Sequence, residues 1–168
     1  MVRLILYIFC GCILLVANGC DGGLDPAMVP LSSFIGGMIR FKGGKNSYPP
    51  ADSVKLLTVV AFREVPRDTN VLQTVLAGNA YYLQDALVYG ADSSEYKLEI
   101  TKTPDTLRYI CVAQQYGGNI FSDWRVVGIY SLKTDFTPET VMMVGGQRKS
   151  NLDITVDFTK LPPQPFKR

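Results

Sequence analysis

One loop collects the side chains best suited to binding a ligand. Between Gln114 and Trp124 the chain carries amides, a carboxylate and aromatic rings around a Gly-Gly pair. Aromatic rings stack on sugar faces, while amide and carboxylate groups bond sugar hydroxyls. The candidate ligand-binding residues are Gln115, Tyr116, Asn119, Asp123 and Trp124. The composition of this loop therefore indicates glycan binding as one use of the segment.

A structural use of the same loop is the alternative, and we favour it. Tyr116, Phe121 and Trp124 can close one end of a β-sheet domain, and Asp123 can cap a turn. Trp124 also begins a strand-like apolar run, which is typical of a core residue. Concave binding sites usually combine several such segments, and this sequence offers one. We therefore expect Trp124 to be buried.

The sequence offers no catalytic set of residues. The chain contains no histidine, which removes Ser-His-Asp and Cys-His catalysis and the commonest transition-metal ligand. Cys111 lies in an apolar strand-like run, and we expect a small buried hydrophobic residue there. Asp153 and Asp157 share a strand face but lie about 13 Å apart along it, so we expect two solvated carboxylates. We predict that the protein is not an enzyme and holds neither a metal nor another cofactor.

The first twenty residues have the layout of an export signal. Arg3 precedes a thirteen-residue apolar run from Leu4 to Val16, and small residues then lead to Cys20. A helix that spans a membrane needs about 20 apolar residues, so a permanent membrane span is not expected. A signal that is cleaved without further modification is one interpretation. Lipidation at Cys20 is the other, and we favour it.

The segment 16–20, which reads Val-Ala-Asn-Gly-Cys, resembles the lipobox of bacterial lipoproteins. It keeps a small residue before Cys20, and it has Ala17 and Asn18 where the family usually has leucine and then alanine or serine. The resemblance implies that residues 1–19 are removed as a signal peptide and that the Cys20 sulfur carries a diacylglycerol. It also implies an exported cell-envelope protein, anchored at the periplasmic face, the outer membrane or the cell surface.

The rest of the chain divides into a tether, a domain and a tail. Residues 20–33 contain glycines and prolines with little apolar periodicity, which is typical of a flexible tether. Residues 34–160 are predicted to fold, and residues 161–168 form a Pro-rich tail that we expect to pack along the domain. The 17 basic and 15 acidic residues nearly balance, so no nucleic-acid partner is expected. The expected partners are the membrane, through the lipid anchor, and another envelope protein or a glycan.

Apolar patterning predicts about seven short strands. They lie near residues 34–42, 54–63, 96–100, 107–115, 124–130, 140–144 and 152–158. The segment 54–63 is apolar on both faces, which is typical of a central strand covered on both sides. Apolar and polar residues alternate in 152–158, so one face of this strand should meet water. In residues 71–89 we expect strand and loop, although an apolar stripe there also fits a helix. The predicted fold class is all-β, an antiparallel β-sandwich.

Part of this pattern resembles transthyretin-like modules, which are also called carboxypeptidase regulatory-like domains. The resemblance rests on the strand 96–100, the turn and strand at 104–113 and the glycine soon after at 117, with 37–41 and 57–62 placed as the family's first two strands. It covers about residues 35–113. Asp105 stands where that family has a turn glycine. The resemblance implies a small β-sandwich that acts as a structural or binding unit and catalyses no reaction. We therefore predict a structural or protein-binding envelope lipoprotein, with a glycan-binding accessory module as the alternative.

Overall fold

The computed structural model describes residues 31–166. The predicted signal segment, Cys20 and the predicted tether up to residue 30 lie outside this range, as do the last two residues of the predicted tail. Ten strands, one short α-helix and two 3-10 turns account for the regular structure described. The all-β class is confirmed. Within residues 31–166 no helix has the length and hydropathy of a membrane span.

Most of the strands are short, and a single helix separates the second from the third. In chain order the elements are β1 (Ser33–Phe41), β2 (Leu56–Phe62), α1 (Val71–Leu76), β3 (Ala80–Tyr82), β4 (Ser93–Ile100), β5 (Asp105–Leu107), β6 (Tyr109–Gln115), β7 (Trp124–Ile129), β8 (Val141–Met143), β9 (Arg148–Lys149) and β10 (Ile154–Val156). Short 3-10 turns at Gly44–Ser47 and Ala51–Ser53 connect β1 to β2. The strands that the sequence did not predict separately are β3, β5 and β9, each of three residues or fewer.

The first sheet is built around β1. β4 pairs with β1 in antiparallel fashion, whereas β9 and β10 both pair with the opposite edge of β1 in parallel. The prediction of wholly antiparallel pairing is therefore wrong for this sheet. This arrangement depends on the glycine at position 37. A Cβ there would lie 2.5 Å from the carbonyl oxygen of Leu152, in the connection between β9 and β10, and would clash with it.

The second sheet has the strand order β3-β2-β6-β7 and is antiparallel throughout. The predicted strand 107–115 is divided at Arg108. Its first part, β5, pairs with β8 in a separate two-stranded sheet, and its second part, β6, joins the second sheet. The segment predicted as an edge strand at 140–144 thus pairs with β5.

Two apolar clusters lie on opposite faces of the second sheet. The inner cluster joins this sheet to the first and includes Val59 and Ile110 from one sheet and Ile39 and Ile154 from the other. The outer cluster lies on the far face and includes Trp124. β2 contributes to both clusters, so the prediction of a central strand covered on both sides is confirmed. Each fully buried aliphatic side chain stabilises the fold by about 1.5–3 kcal/mol.

α1 was not predicted as a separate element. The side chain of Asn70 accepts a hydrogen bond from the backbone N–H of Gln73 at 3.1 Å and caps the first turn. Val71 and Val75 pack on the outer cluster, and Gly78, at φ 73°, ends the segment. The expectation of strand and loop holds for β3, but the helical stripe forms α1 because the second sheet gives it an apolar surface to cover.

The C-terminal segment binds the outer strand of the second sheet. The side-chain amide of Gln164 donates to the Val126 carbonyl at 2.9 Å and accepts from the Val126 N–H at 2.8 Å. Pro162 is buried, and Phe166 packs on the outer cluster. For residues 161–166 the expectation of a tail packed along the domain is confirmed.

Candidate functional site

The loop between β6 and β7 is anchored by Trp124. Its indole is 8 % exposed and belongs to the outer cluster. The indole N–H donates to the carbonyl of Ile120 at 2.7 Å, so its one polar group is satisfied within the loop. The expectation that Trp124 is buried is confirmed. Its ring lies in the core and not on an open surface where a sugar could stack.

The polar side chains of the same loop bond one another. The Asp123 carboxylate accepts from the backbone N–H of Asn119 and from the hydroxyl of Ser122, both at 2.9 Å. The Asn119 side chain accepts from the Phe121 N–H at 2.9 Å, and the Gln115 amide donates to the Gly117 carbonyl at 3.0 Å. Asp123 thus caps a turn, as the structural interpretation expects. A sugar would have to compete with these bonds.

The loop also leaves large side chains exposed beside Asn119. The side chains of Tyr116, Ile120 and Phe121 are 43 %, 45 % and 52 % exposed. The guanidinium carbon of Arg125 lies 5.8 Å from the centre of the Tyr116 ring, within the range of a cation–π contact. The five predicted ligand-binding residues therefore lie in one loop and at the strand ends beside it, with Gln115 ending β6 and Trp124 beginning β7. The Tyr116 ring is exposed, whereas the Gln115 amide, the Asn119 oxygen and the Asp123 carboxylate hold hydrogen bonds within the loop.

A small apolar pocket lies between α1 and the outer face of the second sheet. Its volume is about 140 Å³. It is lined by Leu56, Thr58, Val60, Val71, Leu72, Val75, Tyr82 and Trp124. The Thr58 hydroxyl donates to the Leu83 carbonyl at 2.8 Å. This pocket was not predicted from the sequence, although the apolar outer face of β2 and the spacing of Val71 and Val75 were the signals available.

A second group missed from the sequence joins Arg63, directly after β2, to side chains of β3 and β5. The guanidinium of Arg63 donates to the Asp105 carboxylate at 2.8 Å and to the Tyr81 hydroxyl at 2.8 Å, and that hydroxyl donates to the same carboxylate at 2.6 Å. Burial tends to raise the pKa of Asp105, but hydrogen bonds from Tyr81 and Arg63 outweigh it and lower the pKa. Burial raises the pKa of Tyr81. All three side chains are engaged with one another, so the group acts as a structural clamp.

Cys111 has no features of a reactive thiol. Its side chain is fully buried in the outer cluster, and burial raises the pKa of the thiol well above its ordinary value. The thiolate that would be needed for nucleophilic attack is therefore disfavoured. The expectation of a small buried hydrophobic residue is confirmed.

The two carboxylates near β10 pair with cations in and directly after β1. Asp153 lies 3.4 Å from Arg40 and keeps 45 % of its side chain exposed, as expected. Asp157 lies 3.0 Å from Lys42 and is only 15 % exposed, so the expectation of a solvated side chain is wrong for it. Hydrogen bonds from Thr159 and Lys42 lower the pKa of Asp157 to about 2. In the described part of the chain, no three Cys, Asp or Glu side chains come together as a metal site would require.

Comparison with known proteins assigns this chain to no family. No protein-family model, curated protein or solved structure matches it. Its function must therefore be inferred from its own residues, and the strongest candidate surface is the apolar one around Trp124 and α1.

Proposed function

We propose that this protein is a lipid-anchored, non-catalytic protein of the bacterial cell envelope that acts by contact with another envelope protein. The anchor rests on the N-terminal sequence pattern that ends at Cys20. In this proposal residues 1–19 are removed, the Cys20 sulfur carries the lipid, and a short tether leads to β1, which starts at Ser33.

The proposal of a non-catalytic protein rests on the hydrogen bonds that hold its clustered polar side chains to one another. Asp123 and Asn119 hold their own loop together. Asp105 is engaged by Arg63 and Tyr81. These groups would have to give up existing hydrogen bonds to act on a substrate. A domain that binds through apolar surface needs no such exchange.

We also propose that the two large sheets form a β-sandwich of the transthyretin-like type. The inner cluster, with Ile39 and Ile154 from the first sheet and Val59 and Ile110 from the second, supports face-to-face packing. The parallel pairing of β9 and β10 departs from the expected antiparallel pattern. The resemblance is therefore proposed only for about residues 35–113, which it covers in the sequence.

Glycan binding by the loop 116–124 is the second candidate. The exposed rings of Tyr116 and Phe121 favour it. Sugar recognition also needs polar groups beside the rings, and the loop amides and carboxylate already bond within the loop. This candidate therefore ranks below protein binding.

The anchor can be tested by replacing Cys20 with serine. The wild-type chain should fractionate with membranes and carry the added mass of its acyl groups, because two or more acyl chains anchor stably whereas one binds only marginally. Cys20→Ser should be released or should remain as an unprocessed precursor. Cys111→Ser is the matched control and should stay with the membranes, because Cys111 is buried in the domain. Wild-type protein found soluble, processed and unmodified would contradict the anchor.

A further inference from the structure

We propose that the pocket beside Trp124 is the anchor point for one leucine- or phenylalanine-sized side chain of a partner protein, whose extended segment lies along the outer edge of β3. The inference rests on the proposed protein-binding function and gives it a location. The partner is identified only by this chemistry: an extended main chain with one large apolar side chain.

The lining of the pocket selects an apolar occupant. Seven of its eight lining side chains are aliphatic or aromatic, and none is charged. The exception, Thr58, already donates its hydroxyl hydrogen to the Leu83 carbonyl, and the Trp124 N–H is bonded to the Ile120 carbonyl. On entering the pocket, a polar ligand would give up its hydrogen bonds to water and form few new ones.

The size of the pocket limits that occupant to a single side chain. A volume of about 140 Å³ is close to that of a cavity known to hold one benzene molecule, about 150 Å³. A phenylalanine ring or a leucine side chain matches this volume. The acyl chain of a membrane lipid is much longer and would project from the pocket.

The neighbouring edge strand can bind the main chain of the same partner. The backbone N–H of Arg63 donates to the Asn79 carbonyl, and that of Leu83 donates to the Val59 carbonyl. Because strand residues alternate, the backbone groups of Ala80 and Tyr82 then face away from β2, where β3 ends the second sheet. An extended peptide can pair with such an edge.

The pocket and the edge form one continuous surface. A cleft of about 530 Å³ runs beside β3 and shares Val75 and Tyr82 with the pocket. A segment that lies along β3 therefore passes the mouth of the pocket. Main-chain pairing would supply affinity, and the pocket would supply selectivity for one side chain.

The other edge strand beside this cleft is less suited to a partner. β4 alternates buried residues with exposed Glu95, Lys97 and Glu99. Charged side chains along an edge strand discourage pairing with a further strand. The rim of the Trp124 pocket instead carries Tyr82, which is 47 % exposed, and the neighbouring Leu76 on α1 is 76 % exposed. Aromatic residues such as this tyrosine are enriched, and charged residues depleted, at the centre of a protein interface.

The test uses the fluorescence of Trp124, because the chain has no other tryptophan. The full chain, held by its anchor in phosphatidylcholine nanodiscs, is titrated with seven-residue threonine peptides that carry a lysine at each end. The central residue of these peptides is Phe, Leu, Ala or Asp. If the chain proves to be unanchored, the same titration is run in buffer, so failure of the anchor and failure of the pocket are separate results.

We expect the Phe and Leu peptides to bind at least tenfold more tightly than the Ala peptide and the Asp peptide to bind most weakly. Val75→Phe should fill the pocket and reduce the Phe peptide to the affinity of the Ala peptide. Val88→Phe is the matched control, since Val88 is 68 % exposed and does not line the pocket, and it should bind as the wild type does. If Val75→Phe does not fold, Val75→Met fills the space with a more flexible side chain and should give an intermediate loss.

Three results would overturn the proposal. One is equal binding of all four peptides, or binding of none. Another is a preference for Phe that survives in a folded Val75→Phe or Val75→Met protein. The third is displacement of the Phe peptide by palmitate at equal concentration, which would assign the pocket to a lipid chain.

Discussion

Replacing Trp124 with alanine distinguishes a role of this residue in the core from a role in stacking on a ligand. A large aromatic side chain deleted from a core costs about 3–5 kcal/mol of unfolding free energy. Trp124 is 8 % exposed, and one side of its ring borders the small pocket, so it lacks packing partners on that side. Its indole N–H bonds only the carbonyl of Ile120, a residue that is itself 45 % exposed, so water can replace this bond. We therefore expect a loss near the lower limit, about 3 kcal/mol.

Urea unfolding followed by far-UV circular dichroism measures this loss without depending on the tryptophan. At about 3 °C per kcal/mol for a domain of this size, the melting temperature should fall by about 9 °C. Phe121→Ala is the control from the same loop, because its ring is 52 % exposed and should cost less than about 0.5 kcal/mol. A folded Trp124→Ala protein that loses under 1 kcal/mol would refute the core assignment. It would favour the glycan candidate if binding to cell-wall polysaccharide were lost at the same time.

Two further predictions concern the first sheet and the clamp. Ile154→Asp places a charge in the inner cluster and should abolish cooperative unfolding in urea, whereas Thr155→Asp on the exposed face should be tolerated, and equal effects would mean that the register of β10 is wrong. Asp105→Asn should lower the free energy of unfolding by about 2 kcal/mol at pH 7, because it leaves the Arg63 guanidinium without its partner charge. This loss lies between the values for exposed and buried ion pairs. Since the folded state lowers the pKa of Asp105, this contribution is present above the ordinary carboxyl pKa of about 4 and is lost as the pH falls below it. The stability gap between wild type and Asp105→Asn should therefore narrow on acidification, and a gap independent of pH would contradict the clamp.

The strands that could be predicted from the sequence are those whose apolar pattern follows directly from which of their faces are buried. β2 is apolar at consecutive positions because both of its faces are covered, and β10 alternates because one of its faces meets water. The burial of Trp124 could be predicted for a similar reason, since it opens an apolar run. In these segments local pattern and tertiary environment agree.

The features that the sequence did not predict depend on pairings between distant segments. The division of the strand at Arg108 follows from the pairing of β5 with β8, which no local pattern encodes. Parallel pairing of β10 depends on the close approach of Leu152 to Gly37. The Arg63 clamp likewise brings together residues that are up to 42 positions apart. A pocket formed between a short helix and a sheet is also visible only after both are placed.

The hydrogen bonds between Gln164 and Val126 have a consequence for self-assembly. The second sheet has two outer strands, β3 and β7. At β7 the Gln164 amide occupies a backbone donor and a backbone acceptor that an added strand would use. A sheet that continues through many copies of the protein requires two unpaired edge strands on every molecule. Within residues 31–166, this sheet can accept a neighbour at β3 while β7 is obstructed, so edge-to-edge addition would end with a pair instead of continuing into a fibre.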